Sequence, residues 1–441
     1  MGPTPLYDAL KAFAGEKPLR LHMPGHKGRI LPLPELSPAA VLDFTELGPT
    51  GDLFSGEGPI RAAETLWAEA FGMEECLFLT GGSTQGMLTA LTLAAGTNAP
   101  VLLDRGSHRS AYNALALLDL SPIYLDRPWL EGAGVYGPAD PQVVDQHLKN
   151  RPDIKTVCIT SPTYYGVLSD IPALANLVHA HGGKLVVDAA HGTHLPFLGN
   201  TGYGAADLVV ASAHKTLPAL GQAALLFAGA GFSHASLRRA GALYGSSSPS
   251  YLLMASLDGA RAWMEDEGRS AYRTVCLRVA RLRDAFPSLS DGDAPLDEAR
   301  FVLKTGDGFA LQEELEARGV YPEMADRNHV VFIFTCADGA RDFARLERAL
   351  REISVESRPQ EDIGSCPPPP EIVLSPREAR FAAVETVALR DAEGRLAACQ
   401  VAPYPPGVPV VAPGELLGKK HLAYLTGIGY NMEQEVQVVA L

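Results

Sequence analysis

Short apolar runs alternate with amphipathic stretches through the first half of this chain. Residues 76–79, 101–103, 156–159, 184–187 and 208–211 are compact apolar runs, most of them rich in β-branched side chains, and predict buried strands. Between them lie stretches of helical period. In residues 61–71, for example, Ala62, Leu66, Trp67 and Ala70 fall on one face. Helices are also predicted over 6–14, from the 80s to about 95, over 110–118 and over 171–181. Strands alternating with helices predict an α/β fold with a mostly parallel central sheet wrapped by helices.

The pattern changes after Gly245. A Ser/Pro turn, Ser246-Ser-Ser-Pro-Ser-Tyr251, leads into a long helical stretch over 253–286, and 299–355 reads as a smaller αβ unit. Cys366-Pro-Pro-Pro-Pro370 is a stiff linker before a tail with a helix near 375–383. The expected division is an arm (1–20), a major domain (21–255), a connecting helix with a small α/β domain (256–365) and a C-terminal domain (366–441).

In open parallel sheets, ligands bind beyond the carboxyl ends of the strands. Five successive predicted strands place chemically capable residues there: Thr80-Gly-Gly-Ser-Thr-Gln-Gly86; Ser107, His108 and Arg109; Ser161-Pro-Thr-Tyr-Tyr-Gly166; Asp188-Ala-Ala-His191; and Ser212-Ala-His-Lys-Thr216. The glycine turn with Ser83 and Thr84 at a helix start suits a phosphate, because free backbone N–H groups and the helix dipole converge there. It is neither a GxxxxGK[ST] loop nor a GxGxxG fingerprint. Lys215, following the buried run at 208–211, is a candidate nucleophilic amine: desolvation lowers the pKa of an ammonium toward a usable range.

Composition narrows the options. Of 441 residues 46% are hydrophobic and 20% charged, a globular balance, and no run approaches ~18 apolar residues, so no membrane span is expected. The net charge of −14 argues against nucleic acid as a partner. The six cysteines are scattered without a CxxC pair, so neither a disulfide framework nor a metal site is expected. With no signal-like N-terminus, the expected compartment is the cytoplasm. Near the N-terminus, His22-Met-Pro-Gly-His-Lys-Gly28 reads as a loop able to cover an anionic or carbonyl-bearing ligand, with His26 and Lys27 as donors.

Taken together, the strand-end groups ask for one cofactor. Pyridoxal 5′-phosphate needs an amine for its aldehyde, donors for its phosphate and an acid partner for its ring nitrogen. Lys215 supplies the first, and Ser83, Thr84, Ser212 and His214 the second. Asp188 supplies the third, and His108 is placed to stack on the ring.

With these motifs assembled, the chain resembles the Orn/Lys/Arg decarboxylase family, fold-type I pyridoxal-phosphate enzymes, in a short form. The matching motifs also include Ser246 to Tyr251 and Tyr404-Pro-Pro-Gly407, and run in family order over about residues 20–415. The resemblance implies that Lys215 forms the aldimine, Asp188 faces the ring nitrogen, His108 stacks, and Ser83, Thr84, Ser212 and His214 contact phosphate. His191 matches an active-site position of open role. A homodimer or larger assembly is also implied, with Ser246 reaching the neighbour's phosphate. The expected activity is decarboxylation of arginine, lysine or ornithine through a quinonoid, a step in polyamine biosynthesis. Asp52, Glu57 and Glu323 are candidates for reading the substrate's distal cation.

The sequence departs from the family's pattern at Gly51-Asp52, at Ala189 and at Gly81-Gly82. These positions bear on substrate choice rather than on the cofactor anchors. An aminotransferase or other lyase on the same scaffold is the alternative, with Arg377, Arg380 or Arg395 clamping an α-carboxylate. A catalytically silent pyridoxal-phosphate-binding regulator is the more distant one.

Overall fold

The computed structural model describes residues 2–200, 202–355, 366–403 and 407–440. Of the Tyr404-Pro-Pro-Gly407 motif, residues 404–406 lie outside the described residues. The helices that position the site are α1 (Pro5–Gly15), α2 (Gly58–Phe71), α3 (Gly82–Ala95) and α4 (Arg109–Leu118). The strands are β1 (Glu75–Leu79), β2 (Pro100–Asp104), β3 (Ser121–Leu125), β4 (Thr156–Thr160), β5 (Lys184–Asp188), β6 (Leu208–Ala211) and β7 (Ala224–Ala228). The chain forms two compact units, residues 1–94 with 185–273, and residues 95–184 with 274–441.

In the first unit β5 and β6 pair in parallel, with Asp188 beside Val210. β7 lies antiparallel to β6 and to β1. Every residue of β6 and β7 is buried, as expected of strands covered on both faces. The helix α2 buries Ile60, Ala63, Trp67 and Phe71, spaced three or four apart, and ends at Gly72 in the left-handed conformation (φ +65°). Its one buried acid, Glu64, is satisfied by the Phe78 N–H at 2.8 Å and by Arg238. Asp258 accepts from the N–H groups of Leu6 and Tyr7 (2.8 and 3.1 Å), anchoring the start of α1, two of its otherwise orphaned donors.

The long helical stretch predicted over 253–286 is helical throughout, as two α-helices, Tyr251–Trp263 and Arg269–Ala285, joined by a π-turn at Met264–Gly268. Packing there is tight: a Cβ on Gly268 would stand 2.5 Å from the Met264 sulfur.

In the second unit β2 pairs in parallel with β3 and β4. A small antiparallel sheet joins Arg300–Lys304, His329–Ile333 and Met324–Ala325, matching the predicted αβ unit. The tail contributes an antiparallel pair, Val384–Ala388 with Glu435–Val439, over its own apolar cluster around Leu389, Val411 and Val438. Among the described residues no helix is long and apolar enough to cross a membrane.

Candidate active site

The first unit gathers most of the predicted groups at the ends of its strands. Strand β6 stops at Ala211, and a single helical turn, Ala213–Thr216, carries His214 and Lys215. Lys215 is half-buried, and its Nζ lies 3.1 Å from Nε2 of His191, a residue only 3% exposed. The turn is fixed from a distance: the Tyr272 hydroxyl donates to the Thr216 carbonyl, and the Tyr272 ring stacks on His194 at 4.8 Å.

Asp188 ends β5 and is 3% exposed. Its Oδ1 accepts from the Ala190 N–H at 3.1 Å, which curls the chain back after the strand and fixes the carboxylate's direction. The same return places His191 against Lys215.

At the glycine turn after β1, Ser83 Oγ accepts a hydrogen bond from Ser212 Oγ at 2.8 Å, so hydroxyls 129 residues apart in sequence meet. Gly82 takes φ +70°, the left-handed region that favours glycine. Gln85, buried at 3%, braces the turn. Its Oε1 accepts from the Gly81 N–H (2.9 Å) and its amide nitrogen donates to the Gly241 carbonyl (3.2 Å). Thr84 is exposed. The Nδ1–H of His214 donates to the Ala223 carbonyl at 3.0 Å, which leaves Nε2 as the ring atom available to a ligand.

The other predicted residues are placed less centrally. His108, in the second unit, caps α4: its Nδ1 accepts from the Ser110 N–H, which puts the ring proton on Nε2. Ser246 is exposed in its turn, accepting from the Ser248 N–H. In the N-terminal loop, His26 pairs with Asp43 at 3.1 Å and Lys27 donates to the His22 carbonyl, so both predicted donors are engaged by nearby chain. Asp52 caps its own turn through the Phe54 N–H at 2.8 Å, and Glu57 and Glu323 are exposed.

Two supporting residues escaped the sequence reading. Tyr272 acts across 56 residues and leaves no local signal. Gln85 did leave one, a polar side chain four residues after Gly81 on an otherwise buried helix face.

The Orn/Lys/Arg decarboxylase major-domain model matches residues 4–303, and the family's C-terminal-domain model matches residues 364–434. The chain belongs to the Orn/Lys/Arg decarboxylase family. Within that family it is similar to an arginine decarboxylase of Bacillus subtilis, 28% identical over 96% of this chain and 93% of that protein. The constitutive lysine decarboxylase of Escherichia coli is 23% identical over 86% of this chain and 68% of its own length. In structure the chain matches that lysine decarboxylase with a TM-score of 0.80 at 20% identity, covering 99% of this chain and 82% of the other. A solved structure of SPT with PLP matches 67% of this chain and 77% of its own at TM-score 0.54 and 15% identity. The fold is therefore fold-type I, and this family member is a pyridoxal-phosphate-dependent amino-acid decarboxylase.

The residues of the first unit fit that cofactor. An amine, a buried carboxylate and a pair of hydroxyls beside a glycine turn answer its aldehyde, ring nitrogen and phosphate. The buried Thr193 and Thr216 hydroxyls also have no hydrogen-bond partner among the described residues, as expected near a polar ligand's seat.

Proposed function

We propose that this decarboxylase acts on a basic amino acid, with arginine the first substrate to test before lysine and ornithine, giving the corresponding amine and CO₂. The family match over residues 4–303 carries the reading, since it contains Lys215, Asp188, His191 and the glycine turn together. Arginine leads because the arginine decarboxylase relative matches more closely and over more of its length than the lysine decarboxylase does.

When bound, pyridoxal phosphate supplies an aldehyde for the substrate amine and a ring that accepts the electron pair left by departing CO₂. Lys215 is the amine that would hold the cofactor through its aldehyde. Asp188, with one oxygen oriented by the Ala190 N–H, keeps a proton on the ring nitrogen and so favours the charge that develops in the transition state. Ser83, Ser212 and His214 Nε2 would hold the phosphate, with Thr84 serving it from the exposed rim, and His108 would stack on the ring. His191, in direct contact with the Lys215 amine, would move a proton to or from Nζ, making Lys215 the proton donor of the site.

The aminotransferase alternative draws no support from the three arginines named for it. Arg377 donates to the Leu117 carbonyl, Arg380 to the Cys399 sulfur, and Arg395 to Glu385. The proposal extends to a cytoplasmic homodimer or larger assembly in which Ser246 reaches the neighbouring subunit's phosphate, to a role in polyamine biosynthesis, and to the four-part division at residues 20, 255 and 365. Asp52, Glu57 and Glu323 remain the candidates for the substrate's distal cation.

The deciding experiment supplies the cofactor-loaded protein with L-arginine, L-lysine and L-ornithine in turn and measures CO₂ and amine. Release of CO₂ with stoichiometric amine, fastest with arginine, is expected. Amine exchange that requires a keto acid and yields no CO₂ would replace this reading with transamination.

A further inference from the structure

The second unit holds a pocket of about 370 Å³ lined by several separate stretches of chain. Its walls are aromatic. Trp129 and Tyr136 meet edge to face, centroids 5.1 Å apart at 81°, so their rings form a corner, and Tyr424 and Tyr430 line the space with them. Burial pushes the pKa of the Tyr136, Tyr424 and Tyr430 phenols up, so they stay neutral and present π-faces and hydroxyls rather than charge.

One acceptor in this lining lacks a donor, and a carboxylate lies beside it. Asn328 Oδ1 is buried and has no hydrogen-bond partner among the described residues. Beside it, Asp326 accepts from the N–H groups of Asn328 and His329 (2.7 and 2.8 Å) and from the Tyr165 hydroxyl. Burial alone would raise the Asp326 carboxyl, but His329, Tyr165 and the backbone donors outweigh it and keep the group below its ordinary value, hence ionised. Two basic side chains are near. The His329 ring faces Asp326 and the Ala133 carbonyl, and Arg327 at the exposed rim donates to the Gly427 carbonyl, so each has an acceptor of its own. A buried unsatisfied acceptor, a carboxylate and an aromatic corner select together for a planar cation rich in N–H donors.

We propose that this pocket is a second ligand site, which takes a small alkylguanidinium-type cation between the Trp129–Tyr136 corner and the Asn328 amide oxygen. Aromatic faces attract the delocalised charge and the apolar walls take the alkyl chain. The protein's net charge of −14 favours entry of a cation.

The test titrates the cofactor-loaded enzyme with n-butylguanidinium, which carries no aliphatic amine to condense with an aldehyde, and follows tryptophan fluorescence and heat. A saturable signal is expected in the wild type. It should be at least tenfold weaker with n-butylurea, the neutral isostere, and with pentanoate. Trp129→Phe should lose the fluorescence change but still bind by calorimetry. Asn328→Ala, which leaves the backbone bonds of that turn in place, should weaken binding at least fivefold. Butylurea binding as tightly as the cation, a fluorescence change that persists in Trp129→Phe, or full affinity in Asn328→Ala would each overturn the proposal. The readout is binding at Trp129 rather than turnover, so its failure leaves the decarboxylase reading untouched, and loss of turnover leaves this site untouched.

Discussion

The Nζ of Lys215 and the Nε2 of His191 stand 3.1 Å apart, the one at the end of β6 and the other three residues beyond β5. Parallel pairing of β5 with β6 produces the contact, because it sets Asp188 level with Val210 and brings both strand ends to one edge. An imidazole at hydrogen-bonding distance from an amine gives that amine a proton partner without water between them. Lys215→Ala should therefore abolish decarboxylation and leave no borohydride-fixable cofactor on the protein. His191→Phe keeps a ring in place without the nitrogen, and should still fix cofactor on Lys215 while turnover falls by roughly 10²-fold or more. Wild-type turnover in His191→Phe would remove His191 from the proton path.

Asp188 offers a cleaner separation of binding from chemistry. Asp188→Asn retains an oxygen for the Ala190 N–H and matches the carboxylate in size, so the fold and the cofactor's attachment should survive. The charge that holds a proton on the ring nitrogen is lost, and kcat should fall by about 10²- to 10³-fold with a smaller change in KM. Mass spectrometry of the borohydride-treated variant checks loading, and CO₂ release checks turnover. An unchanged kcat would show that the carboxylate serves structure alone.

Gly86 shows why a motif residue can be fixed by packing rather than by ligand contact. A Cβ there would meet Val210 Cγ1 at 2.6 Å and Leu79 Cδ1 at 2.7 Å, so α3 lies against the two strands that carry the glycine turn and Lys215. Gly86→Ala gains about 1 kcal/mol of helix propensity and loses about 1–3 kcal/mol to overpacking. Overpacking should win, lowering Tm by a few degrees. It should also weaken cofactor retention, because Ser83 moves with the helix. A raised Tm would mean that the helix shifts outward without cost.

Much of this was legible in the sequence where the signal is local. The run Leu208–Ala211 followed by four polar residues in five is visible without any partner, and so are the Asp188 return and the glycine turn. What escaped depends on distant chain. Ala224–Ala228 is a short apolar run whose period cannot separate strand from helix, and its antiparallel place between β1 and β6 is a tertiary fact. The pair Val384–Ala388 with Glu435–Val439 joins segments some fifty residues apart. The Met264–Gly268 π-turn sits inside an otherwise helical pattern and follows from contacts that periodicity does not record. At the candidate site, the side chains proposed for the cofactor could be named from local motifs, but the bracing by Tyr272 and Gln85 could not, because each acts through the backbone of a remote segment.

His234 gives the fold a pH dependence of known sign. The ring accepts from Arg238 Nε at 2.6 Å, and Arg238 is itself paired with buried Glu64. Burial, then the charges of Arg238 and Arg61, push the His234 imidazole down to about 4, with Glu75 opposing more weakly. A base whose folded pKa lies below its unfolded value of 6.5 takes up its proton more readily in the unfolded chain. Stability from this group is thus present above pH 6.5 and is lost as pH falls toward 4. Because the ring is only partly buried, the loss should be on the order of 1 kcal/mol. His234→Gln keeps an acceptor for Arg238 and does not titrate, so its Tm should fall less steeply between pH 6.5 and 4 than that of the wild type. Parallel melting curves for the two proteins across that window would show that the Arg238 contact imposes no cost on protonation.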